Sequence, residues 1–370
     1  MMPQAYDYVV VGAGMAGASL AAELATLTAG RLRIAVVEAE DTPGYHATGR
    51  SAAFWEECYG GPQIVPLTLA SGTYLRDHGF LRRRGALYIG RNQDIGAIDA
   101  FEKRFGNTGA TFSRIGRAQL AARIPGLRAS WRHAIWQPDC ADIDVAGLHQ
   151  HYLARAAQAE VQLYRRFRLA RIDRSNGAWH LAAADGRVLI ASYLVNAAGA
   201  WADEVARLAG VRPKGIQPLR RTVVQLRVSP AAPDDLPLVL DVNGGFYFKP
   251  EAGRLWLSPH DEVPTDPCDA APEEFDVAEA IDRFQGVVDW NVEQVERRWA
   301  GLRSFAPDRL PVYGPDPADP AFIWFAGQGG YGIQTAPAAA RLLAEELAGA
   351  RRSELTKAID LNPYRADRFP

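Results

Sequence analysis

Apolar positions along the chain fall into two patterns. The first is a short continuous apolar run that passes through small residues into an Ala/Leu-rich segment. It occurs at Tyr8-Val9-Val10-Val11, where Gly12-Ala13-Gly14-Met15-Ala16-Gly17 leads into a segment reaching about Thr28, and a second run over 33–37 ends at Glu38. Runs of this length predict buried parallel strands, and the Ala/Leu segment predicts the connecting helix. The pattern returns in "ASYLVNAAGAWADEVARLAG", as a strand over 193–196, a turn over 197–200 and a helix over 201–208, and again in "FIWFAGQGGYGIQTAPAAARLLAEELAG". The second pattern is alternation. "GALYIG", "RTVVQLRV", "GGFYFKP" and "RLWLSP" read as strands of a largely antiparallel sheet, and a helix is predicted over 275–288. "SPAAPDDLP" and "HDEVPTDPCDAAPEEF" read as surface loops. The fold class is therefore α/β, a Rossmann-like unit joined to a second, α+β unit.

The first glycine turn is GxGxxG between a strand and a helix, with an acid about 20 residues on. Gly12 permits the tight turn, Gly14 lets a pyrophosphate approach the backbone, and Gly17 lets helix and strand pack closely. The helix N-terminus favours phosphate. Glu38 suits both ribose hydroxyls and repels a 2′-phosphate. A bare glycine turn would not separate NAD from FAD. Three strand–turn–helix elements around one cofactor suit FAD better than a single NAD crossover, and the last helix N-terminus suits the negative charge of a reduced isoalloxazine.

Composition narrows the rest. A formal charge of −2 argues against general nucleic-acid binding. The run Arg82-Arg83-Arg84 reads as a solvated turn. Cys58, Cys140 and Cys268 make neither a disulfide framework nor a CxxC site and fit a reducing, cytoplasmic setting. The opening apolar run is short and glycine-interrupted, so neither a leader peptide nor an integral membrane segment is expected. His149 and His151 diverge on a predicted helix, so no metal is expected there.

"GAGMAGASLAAEL", "GYHATGRSAA", "LVNAAGAWAD", "WAGLRSFAPDRLPVYG" and "GQGGYGIQTAPAAA", in this order along nearly the whole chain, resemble the FAD-dependent D-amino-acid oxidase superfamily, and within it most the branch with D-arginine dehydrogenase. The resemblance implies a glutathione-reductase-type FAD domain over 1–60, 140–212 and 312–370, and a substrate domain over 61–139 and 213–311. It implies noncovalent FAD, a D-amino acid substrate and an electron acceptor that the residues do not identify. Cofactor contacts are implied at Gly12, Gly14, Ala16, Gly17, Glu38 and Ala39. Others fall at Thr48, Gly49, Arg50, Ser51, Ala52 and Ala53, at Arg168, Gly199 and Trp201, and at Gly329, Gly330, Tyr331, Gly332, Ile333 and Gln334.

A substrate carboxylate is best clamped by a guanidinium, whose planar fork binds it bidentately. Arg303 matches the family's arginine for this task and Tyr247 its tyrosine partner, while Phe246 should face the core. Arg221 matches a second arginine, with Arg220 on the opposite face, although alternation alone leaves open which of the two looks inward. Tyr59 matches a tyrosine covering the site, and the Gly330 backbone should meet substrate and flavin together.

Two departures bear on the substrate. Relatives that take cationic D-amino acids carry a glutamate where this chain has Ala86, and a histidine where it has Phe54. Phe54, Trp55 and Ala86 therefore predict a roomier, apolar pocket for a neutral or aromatic D-amino acid. The counter-reading has Glu56 or Glu57 supply the missing charge for a D-arginine-like substrate. The expected reaction is hydride transfer from Cα to the flavin, then hydrolysis of the imino acid to a 2-oxo acid and ammonia. No dedicated base is evident, and His46 in the FAD turn is expected to contact cofactor or backbone. "LRSFAPDRL" lacks the cysteine that tethers FAD in sarcosine-oxidase-type relatives. Trp256 falls about where their oxygen-activating lysine would, which favours an acceptor other than oxygen. An amine or sarcosine-type oxidase, a 2-hydroxy-acid dehydrogenase on the same fold and a non-enzymatic flavoprotein are the alternatives. Peroxide release, reduction by hydroxy acids, and bound FAD that no substrate reduces would mark them in turn.

Overall fold

The computed structural model describes residues 4–369. Its first sheet is built around Gln4–Val11, which pairs in parallel with Ile34–Val37 on one side and Val188–Asn196 on the other. Val188–Asn196 pairs in parallel with Phe322–Ala326. Val9, Val10, Ala35 and Val195 are buried on both faces, as continuous apolar runs require. The register aligns Val11 with Val37 and with Asn196, so the glycine turn, Glu38 and the 197–200 turn all leave the same sheet edge. In an open parallel sheet that carboxyl edge is where a ligand crevice forms. Met15–Leu27 and Gly332–Leu347 pack together against one face of this sheet.

The second sheet has nine strands, mostly antiparallel. Its longest pair joins Gln217–Ser229 to Asn291–Phe305, with Leu219 opposite Arg303 and Arg221 opposite Gly301. Cross-strand partners share a face, so Arg221 and Arg303 are diagonal neighbours on one face while Arg220 lies on the other. Tyr247 pairs with Ser258 in the adjoining strands and falls on the arginine face. Phe246, Phe248, Leu255 and Leu257 fill the opposite face. Strands of the first sheet all lie within 1–60, 140–212 and 312–370, and those of the second within 61–139 and 213–311. A small third sheet of Phe54–Trp55, Ala141–Ile143 and Leu81–Arg83 ties the two groups of segments together.

Three local expectations change. The helix placed over 275–288 spans Glu274–Gln285, ending at Gly286. Arg82 and Arg83 are exposed, but the Arg84 side chain is 3% exposed and paired with Asp142 at 2.6 Å. The supposed surface loop after Ser258 turns inward: Asp261, 5% exposed at its side chain, accepts from the backbone and hydroxyl of Thr222.

Candidate active site

A long cavity begins at the first glycine turn and ends at Arg303. At its first end, Gly12 has φ +102°, and a Cβ there would lie 2.5 Å from the carbonyl oxygen of Ala197. A Cβ on Gly17 would lie 1.8 Å from the carbonyl oxygen of Gly12, so Gly17 sets helix–strand packing, although it does not line the cavity. Thr48 accepts from the backbone N–H of Met15, and Glu38 accepts from those of Ala13 and Glu40. Gly14, Ala16, Glu38, Ala39, Thr48, Arg50, Ser51, Ala52, Ala53, Arg168, Gly199 and Trp201 all line this part. Gly49 does not; its N–H closes the turn on Gly44. Arg50 reaches across to the carbonyls of Ala270 and Ala300, which fastens the 268–270 loop over the cavity. His46 lies against Trp201 and bonds Glu40, 3.1 Å away. His149 donates to the carbonyl of Ala13 and His151 bonds Tyr74, so each histidine of the "HQH" stretch has its own partner. A dinucleotide would be held by the Gly12–Gly17 turn, Glu38, the 48–53 segment and the 197–201 turn.

At the other end Arg303, Arg221, Tyr59, Tyr247 and Phe54 line the cavity with Gly329, Gly330, Gly332, Ile333 and Gln334. A Cβ on Gly330 would lie 1.6 Å from Nη2 of Arg303, so the guanidinium rests where a side chain would be. Arg303 donates to the Tyr59 hydroxyl at 2.9 Å. Arg221 donates through Nε to the Asp261 carbonyl at 2.8 Å. Arg220 points away, to Glu273 and Asp276. Burial and the nearby Arg221 charge both pull the Arg303 pKa down, although the Tyr59, Glu262 and Tyr247 side chains oppose them. An anion placed here would relieve that repulsion. Phe54 stands edge-on to Tyr59 and Tyr247, at centroid distances of 5.2 and 5.9 Å.

Six residues of the expected site or its counter-reading sit differently. Trp55 is buried and turned from the cavity, its indole N–H on the carbonyl of Thr68 and its ring against Gly72, because successive residues of a strand face opposite ways. Ala86 is buried behind the wall that Phe54 and Tyr247 form, so it does not line the cavity. Tyr331 points out of the cavity, its hydroxyl on the carbonyl of Arg309. Glu56 is fully buried, accepting from Tyr88 and from the N–H of Cys58, and Glu57 accepts from the N–H of Thr111. Neither lines the cavity. Gln334 reaches the cavity edge, but its amide holds the carbonyls of Glu56 and Tyr59 and the Thr68 hydroxyl.

Sequence reasoning missed the 258–262 segment, whose charged residues resemble any exposed loop. His260 donates through Nδ1 to the Gly244 carbonyl, since a carbonyl only accepts, which leaves Nε2 an unpartnered acceptor. Burial, then the Arg221 and Arg303 charges, pull this imidazole down to about 2, so it stays neutral and does not store a proton. Glu262 contacts Arg303 at 3.2 Å and Arg309 at 2.8 Å. The one available signal was an acidic pair following a strand adjacent to the arginine strand.

A family model described as FAD dependent oxidoreductase (DAO) matches residues 7–346. The bovine (Bos taurus) FAD-dependent oxidoreductase domain-containing protein 1 is 26% identical over 99% of this chain and 85% of its own length. Glycine oxidase from Geobacillus kaustophilus superposes with a TM-score of 0.85 at 23% identity, covering 99% of this chain and 100% of that one. L-proline dehydrogenase from P. horikoshii gives 0.85 at 20%, covering 99% and 98%. With a glycine cradle at one end of the cavity and a family match along almost its whole length, the chain belongs to the FAD-dependent oxidoreductase (DAO) family, and FAD is its cofactor.

Proposed function

We propose that the protein oxidises the amine-bearing carbon of a monocarboxylate amino acid, with a D configuration and a neutral, apolar or aromatic side chain. The observation that carries this reading is the convergence of Arg303 and Arg221 with Tyr59 and Tyr247 at one end of the FAD cavity. Acids lining the cavity, Glu38, Glu40 and Glu204, lie on the strand end and helix of the first sheet, away from the arginines. The arginine end therefore offers an apolar wall of Phe54 and Val223; its nearest carboxylate, Glu262, does not line the cavity and is taken up by Arg303, Arg221 and Arg309. That favours the neutral over the D-arginine-like substrate.

Bound FAD supplies the two-electron acceptor. Arg303 and Arg221 fix the substrate carboxylate, and Tyr247 and Tyr59 limit its rotation, so that Cα is presented in one orientation. His260, held neutral by burial, adds no positive charge behind Tyr59 and Tyr247. The first sheet with its connecting segments acts as the FAD domain and the second as the substrate domain. We further propose that FAD is held noncovalently and reoxidised by an acceptor other than oxygen, in keeping with the absence of cysteine from 302–310.

Anaerobic mixing of the FAD-loaded protein with D- and L-amino acids tests the reading. D-Phe or D-Leu should bleach the oxidised flavin band with a kcat/KM at least about tenfold above that for D-Arg, a difference of about 1.4 kcal/mol. Preference for D-Arg, for L-amino acids or for glycine would overturn the substrate assignment.

A further inference from the structure

The arginine donors of the clamp hold a carboxylate of the chain itself. One oxygen of Glu262 lies 3.2 Å from Nη1 of Arg303, 3.4 Å from Nη2 of Arg221 and 2.8 Å from Nη2 of Arg309. The other terminal nitrogen of Arg303 donates to Tyr59. Asp261 is fixed to Thr222 and lies 3.7 Å from Nε of Arg221. Three guanidiniums thus face two carboxylates, with His260 neutral, and one positive charge remains uncompensated.

We propose that Glu262 is a specificity-determining residue of the clamp: it occupies the arginine donors as an internal carboxylate, yields the Arg303 contact when the substrate carboxylate arrives, and limits the site to one such group. This rests on the carboxylate-binding reading above. Glu262 can play the part because it is tethered through the chain and not enclosed. It follows the fixed Asp261, whose side chain is 5% exposed, while its own side chain is 32% exposed and contacts the lining residues Arg303 and Arg221. Burial pushes its carboxyl up, but the Arg309 hydrogen bond and the charges of Arg303, Arg309 and Arg221 outweigh this and hold it below the usual range. It is therefore ionised at neutral pH and repels a second anion.

The probe is benzoate, titrated calorimetrically into the FAD-loaded protein, with succinate as a dianion. Removing one negative charge a few ångströms from the bound carboxylate should tighten benzoate about tenfold in Glu262→Gln and succinate by more. Glu262→Asp, which keeps the charge, should stay within about threefold of the parent. KM for the amino acid should fall in Glu262→Gln. If Glu262 merely props Arg303, both variants will bind benzoate more weakly and KM will rise, which overturns the inference. Parent binding that is abolished by Arg303→Ala but unchanged in Glu262→Gln would overturn the inference alone. No benzoate binding by the parent or by Glu262→Gln would overturn the carboxylate reading with it.

Discussion

The two glycine turns at the ends of the cavity look alike in sequence and differ in what denies their glycines a side chain. At the first turn the obstacle is backbone. A Cβ on Gly12 would press on the Ala197 carbonyl, and one on Gly17 would sit 1.8 Å from the Gly12 carbonyl. At the last turn the obstacles are side chains: the Phe305 ring lies 2.3 Å from a Cβ on Gly329, and the Arg303 guanidinium 1.6 Å from one on Gly330. Backbone in a strand–turn–helix cannot yield without unmaking the cradle, whereas a guanidinium can swing. Glycine at the first turn is therefore a condition of the fold, and at the last turn a condition of the clamp.

Gly17→Ala should have the largest effect. The added methyl must separate helix from strand, and such overpacking against backbone belongs among the rare substitutions above about 4 kcal/mol. Protein recovered from expression should carry little FAD and unfold at a much lower temperature. A variant with a full complement of flavin and a Tm within a few degrees of the parent would break the contrast.

Gly330→Ala should leave flavin content and Tm close to those of the parent and displace the Arg303 guanidinium. A shift of about 1 Å in a positioning group lowers rate by about 100-fold, so kcat/KM should fall by about that factor. If this variant also lost its FAD, the last turn would be a cradle like the first and the distinction would fail.

Legibility follows the same division. Gly12, Gly14 and Gly17 announce themselves because a backbone constraint leaves only one residue type and a fixed spacing. Arg303 and Tyr247 were found through neighbouring motif residues, and sheet register explains why Arg221 rather than Arg220 joins them. Trp55 was misplaced for want of the pairing of Phe54–Trp55 with Ala141–Ile143, which decides the face each ring takes. Asp261 and Glu262 were illegible because their roles come from contacts about 40 residues away in sequence, with Arg221 and Arg303, and His260 because its partners are the Gly244 carbonyl and the Tyr59 and Tyr247 rings. Acidic loop residues carry no local mark of such a partner.

The smallest effect is expected at the seam between the two turns, where Gln334 of the last helix holds the segment that carries Glu56 and Tyr59. Glu56 is buried and pairs with no cation among the described residues. Desolvation raises its carboxyl to about 7, against the hydrogen bonds from Tyr88 and the Cys58 N–H, and Glu57 adds to the rise. The sign follows from proton uptake. Well below pH 4.5 the carboxyl is protonated in both states; between about 4.5 and 7 the folded state binds more protons, so stability falls as pH rises. Above about 7 the whole penalty persists, at most about 3 kcal/mol on that shift. Glu56→Gln removes it but brings an amide that needs an acceptor, so a gain of about 1–2 kcal/mol at pH 8, shrinking toward zero near pH 5, is expected from urea unfolding. Flavin content should not change, because Glu56 does not line the cavity. A pH-independent difference would mean that Glu56 binds protons equally in the folded and unfolded states, so that burial at the seam does not shift its carboxyl. The seam would then hold an ordinary carboxylate, and the contrast drawn between it and the two turns would lose its pH signature.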